Sequence, residues 1–139
     1  MTMLGLRAAV ISKIDSSITA FQTVQGHGGK FDKKELLRIA TKSPAALVTV
    51  LGGPVERESG QGAADLTVVI FIVTRGDAST QRDSAVLILA EAVAGLAVGN
   101  EWGYADAQAP LGIRMDNLYS GEIDRTGVAL WSVSWTTGR

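Results

Sequence analysis

Ala64-Asp-Leu-Thr-Val-Val-Ile-Phe-Ile-Val-Thr-Arg-Gly76 is the stretch that decides the fold of this chain. From Leu66 to Val73 every position is apolar or β-branched, so it has neither the alternation of a half-wet strand nor the polar stripe of a surface helix. It reads as a central β-strand covered on both faces. Asp65 closes one end and Arg75-Gly76 the other, and about ten extended residues span roughly 33 Å, most of a small domain.

On its N-terminal side, Ala45 to Leu51 is a second apolar run that breaks at Gly52-Gly53-Pro54, a second buried strand. Between the two runs, Gly52 to Ala63 holds four glycines, a proline and the charged triplet Glu56-Arg57-Glu58. That is too long for a tight hairpin turn and has the composition of a projecting loop. On the C-terminal side, Val86, Leu89, Val93 and Leu96 mark the buried face of a helix from about Gln81 to Ala97, ended by Gly99-Asn100. Leu111, Ile113 and Met115 then alternate with Gly112, Arg114 and Asp116, a strand with one wet face. A last strand from Val128 to Thr136 places Trp131, Val133 and Trp135 on one side and Leu130, Ser132 and Ser134 on the other, and these two strands read as a hairpin.

Upstream, Leu4, Ala8, Ile11, Ile14 and Ile18 predict an amphipathic helix over residues 3–19. Gln25-Gly26-His27-Gly28-Gly29-Lys30 reads as a mobile loop, and Asp32 with Glu35 as a helix cap and its partner, with Ser43-Pro44 stopping that helix. The expected architecture is a single α+β domain over residues 1–139, in the order α-α-β-β-α-β-β. Its largely antiparallel four-stranded sheet carries the helices on one face.

A chain of 139 residues is enough for one core, and its longest apolar run falls far short of the ~20 residues that cross a bilayer. Met1 to Arg7 do not form a secretory leader, so cytosolic synthesis and no membrane partner are expected. The absence of cysteine excludes disulfides, thiol catalysis and cysteine-based metal sites. Thirteen basic against fourteen acidic residues lack the basic excess of a phosphate-backbone binder, so direct nucleic-acid recognition is not expected. Near-neutral charge permits self-association.

Candidate chemistry is thin. His27 is the sole histidine, and its place between glycines suits a solvated loop better than a catalytic base or metal ligand. Gly26 to Lys30 lacks the grammar of a phosphate loop, since Val24 stands where the first glycine belongs and Phe31 replaces the Ser/Thr. Asp65, Asp77 and Asp83 flank the central strand as a possible acid–base set, but strand-end solvation, turns and caps are their ordinary uses. Lys30, Lys33 and Lys34 are interrupted by Asp32, which fits a solvated face. No catalytic, cofactor or metal residue is assigned. Trp131 and Trp135 have the spacing of strand core residues, with an interface role the other reading. Trp102 and Tyr104, in the polar stretch 100–110, are either exposed anchors for protein contacts or a lid folded back over the sheet edge.

The order of elements resembles the tail terminator (tail completion) proteins of Mu-like phages. The resemblance lies in Leu36-Leu37-Arg38 through Ser43-Pro44-Ala45, Val50-Leu51-Gly52-Gly53, Asp65-Leu66-Thr67-Val68, the helix after Arg82, and Val128 to Trp135. It implies a non-enzymatic virion protein, forming a ring, usually six-fold, that stops growth of the tail tube and offers a head-joining surface. Its implied partners are further copies of itself, the tube protein and a head-completion or connector protein, at the head-proximal end of the tail. Glu56, Arg57, Glu58, Trp102 and Tyr104 would be the contact residues. The alternative is a small-molecule-binding regulatory domain, which needs an apolar pocket with a few convergent polar groups.

Overall fold

The computed structural model describes residues 1–29, 32–53, 65–76, 79–118 and 127–138, with backbone alone at 33 and 79–81. Three helices, α1 (Met3–Ser17), α2 (Lys33–Ala40) and α3 (Ser79–Ala97), surround one sheet. The sheet is built from β1 (Thr23–Gly26), β2 (Ala45–Gly52), β3 (Leu66–Arg75), β4 (Leu111–Asn117) and β5 (Val128–Thr137). Its strand order is β1-β2-β3-β5-β4, so the long apolar stretch is the middle strand. β5 pairs antiparallel with β3 along its full length, which sets Val68, Ile70 and Ile72 beside Trp135, Val133 and Trp131. The period-2 alternation of both strands thereby sends one matched apolar row to the same face.

That face carries the main core. Leu6, Val10 and Ile14 of α1 and Val86, Leu89 and Val93 of α3 bury against Val68, Ile70, Ile72, Val133 and Trp135. Each such side chain contributes about 1.5–3 kcal/mol of transfer free energy. α1 covers β1 and β2, while α3 covers β3, β5 and β4. Among the described residues, no helix is long and apolar enough to cross a membrane.

Three expectations are corrected. The sheet has five strands and is mixed: Thr23–Gly26 pairs in parallel with Ala45–Val48 where a loop is expected. This strand is short and half-buried, with Val24 its one apolar side chain, so no hydrophobic period announces it. Helices lie on both faces, because Leu36, Ile39 and Ala40 of α2 pack on the opposite side against Ala45, Leu47, Val73, Val128 and Leu130. That is where a helix connecting two parallel neighbours must cross. The second face of β3 is therefore only partly covered: Phe71 packs half-buried against the α2 cluster, and Thr67 and Val69 are half-buried.

The buried stripe of α1 is Leu6-Val10-Ile14, whereas Leu4 is 69% exposed and Ala8 lies outward. The expected and observed faces share Ile14, with Ile11 and Ile18 partly buried against the same core, and apolar residues on several sides of the helix left the choice to tertiary contact. The cap of α2 follows its sequence: Asp32 Oδ1 accepts the Glu35 N–H at 2.8 Å. β4 and β5 pair antiparallel as expected, yet Leu111 and Met115 on the edge strand β4 are 67% and 44% exposed. β1 flanks β2 only as far as Val48, and beyond it the outer edge of β2 has no strand beside it among the described residues.

Candidate interaction surface

A cleft of about 290 Å³ opens where the first turns of α1 meet the end of β1 and the uncovered part of β2. Met3, Leu4, Arg7, His27, Thr49 and Val50 line it. The Thr2 hydroxyl caps α1 by accepting the Gly5 N–H at 3.0 Å, which fixes the direction in which Met3, Leu4 and Arg7 leave the helix. Arg7 lies across Gly26: a Cβ there would stand 3.0 Å from both Nε and Cζ of the guanidinium. The glycine thus gives the flat cation room against the backbone. Arg7 has no acidic partner among the described residues.

His27 does not float in solvent as the bland reading expects. Its N–H donates to Val48 O at 3.0 Å, its carbonyl accepts from Thr49 Oγ1 at 3.0 Å, and its Nδ1 accepts the Gly29 N–H at 2.9 Å. The last bond assigns the proton of the neutral ring to Nε2, which faces Glu35 Oε1 at 3.0 Å. Arg38 grips the same carboxylate with Nη2 and Nε, at 2.6 and 3.0 Å. Hydrogen bonds from Arg38 first and His27 second lower the Glu35 pKa from 4.5 to about 2. Both imidazole nitrogens are engaged, so the ring is a structural tie between β1 and α2. It does not present a nitrogen to a serine.

The segment 100–110 folds back on the core. The Trp102 ring is 6% exposed and stacks on Trp135, with centroids 5.4 Å apart and planes 11° from parallel. Its backbone sits at φ +56°, a left-handed conformation that a bulky residue adopts only under constraint. Asn100 supplies that constraint: its Oδ1 accepts the Trp102 N–H at 2.8 Å and its Nδ2 donates to Leu96 O at 3.2 Å. Tyr104 is half-buried against α1, its hydroxyl filling the space above Gly5. A second cleft, about 340 Å³, lies between α1 and this segment, lined by Ser12, Lys13, Asn100, Trp102 and Gly103 among others. Trp102 Nε1 is buried with no hydrogen-bond partner among the described residues. Of the two readings of these aromatics, the folded-back one matches the structure of the single chain. The local polarity of Asn100, Glu101 and Gly103 conceals it, because the partner ring comes from β5.

The remaining sequence candidates do not converge. Glu56, Arg57 and Glu58 lie outside the described residues, as do Lys30, Phe31 and Asp77. Asp65 is exposed before the first residue of β3, whereas Asp83 is exposed on α3 next to Arg82, whose carbonyl accepts from Thr74 near the other end of the strand. Lys34 is exposed. Trp135 is core, and Trp131 is half-buried against the same cluster. Arg7 and Gly26 are what sequence reasoning misses: Arg7 passes as the wet side of a helix, and nothing local ties Gly26 to it.

No protein-family model matches the chain, and no curated protein matches it in sequence. Among solved structures, it is similar to a chain described as "Virion of native gene transfer agent (GTA) particle", at TM-score 0.55 and 12% identity, covering 96% of this chain and 92% of that one. The likeness is one of fold.

Proposed function

We propose that this chain is a structural protein of a phage-like virion, a ring subunit that caps the end of the tail tube, stops its polymerisation and offers the surface to which the head joins. The observation that carries this reading is the fold likeness to a chain of a gene transfer agent virion, end to end in both chains. The resemblance of the sequence to Mu-like tail terminators supports the finer assignment. So does an edge strand that leaves Leu111 and Met115 in water, since an open apolar edge is ordinarily covered in the working assembly. In this reading the role is mechanical and not enzymatic. The partners are further copies of the chain, the tube protein and a head-completion or connector protein.

The test is to add the purified protein to polymerising tail tubes and image them by negative stain. Capped ends and a defined tube length are expected. Arg57→Ala, in the sequence segment after β2, should reduce capping while the free protein stays folded. Tubes that grow unchecked at saturating protein would refute the assignment.

A further inference from the structure

Two surface patches of the helical layer are complementary, and neither has a partner of opposite charge among the described residues. The first surrounds Arg7: a guanidinium laid over Gly26 with no acid beside it among the described residues, flanked by Met3 and Leu4 at 45% and 69% exposure. The second is the outer face of α3. Leu87 and Ile88, 46% and 68% exposed, sit one helical turn from the exposed Glu91, and Asp83 lies one turn before Leu87. Glu91 has no cation beside it among the described residues. One patch is an unpaired cation in an apolar collar, the other an unpaired carboxylate beside two apolar side chains.

We infer that these patches bind each other between copies: Glu91 of one copy pairs with Arg7 of the next, and Leu87 and Ile88 cover Met3 and Leu4. α1 sits over β1 and β2, and α3 over β3, β5 and β4, so the two patches lie over different strands of the sheet. Repeated head to tail from copy to copy, this contact forms a ring where the rotation between copies closes. The Arg–carboxylate pair sets orientation, since two like patches meeting would bring two cations or two anions together. This contact rests on the ring reading and supplies its subunit interface.

Charge reversal tests it. The mass of the wild type, Arg7→Glu, Glu91→Arg and a 1:1 mixture of the two variants is measured by light scattering across a concentration series, with thermal melts confirming that each folds. The wild type is expected to rise well above 14.6 kDa and beyond twice that value. Each variant alone should remain at the monomer mass, and the mixture should recover the wild-type mass, because every contact in an alternating ring then joins opposite charges. Folded variants that assemble like the wild type overturn the contact. So do a mixture that fails to recover, an assembly that stops at two copies, and a wild type that stays monomeric throughout. In that last case tube capping still judges the proposed function separately.

Discussion

Trp102 shows how one residue can be held by constraints that its neighbours in sequence do not reveal. Its left-handed backbone is tolerated because Asn100 takes its N–H and Trp135 takes its ring. Truncation will therefore be read first in stability. Trp102→Ala should cost about 3–5 kcal/mol, seen as a lower urea midpoint at nearly unchanged slope. Asn100→Ala should cost about 1 kcal/mol through the lost cap on that N–H. A Trp102→Ala midpoint equal to wild type would mean the ring does not pack on β5. Residues 100–110 leave folding back as one of two readings, but a left-handed tryptophan and a ring partner on another element have no local signature. The cap at Asp32 was legible, because donor and acceptor lie three residues apart.

At the scale of elements, α2 is a short helix fastened on two sides. Leu36 and Ile39 hold it to the sheet, and Glu35 binds Arg38 along the helix and His27 across to the end of β1. The Glu35 pKa is depressed in the folded protein, so the stability it brings is complete above pH 4.5 and fades as pH falls toward 2. Glu35→Gln should flatten the fall in melting temperature across that window and leave the neutral-pH profile parallel to wild type. An unaltered acid limb would show that the carboxylate is not bound in this way. Strands β2, β3 and β5 were legible because apolar runs of their length have few alternative readings. β1 was not, as four residues with Val24 their one apolar side chain can join a parallel pair only once β2 exists beside them. The face of α1 was misread for a related reason: the sheet, not the helix, selects Leu6 and Val10 over Leu4 and Ala8.

For the whole molecule, the sheet order predicts a gradient of stability from the middle outward. Amide exchange in β3 and β5, paired along their full length and buried beneath α3, should approach the global unfolding limit. β1 and β4, as edges, should exchange through local opening. Equal protection across all five strands would contradict that order. The two stacked indoles add a property of another kind. Rings 5.4 Å apart and nearly parallel couple their electronic transitions, so the folded chain should carry an exciton signature in circular dichroism that vanishes when the 100–110 segment leaves the sheet. The docking of this segment can thus be followed optically without any label, in free protein and in assembled particles alike.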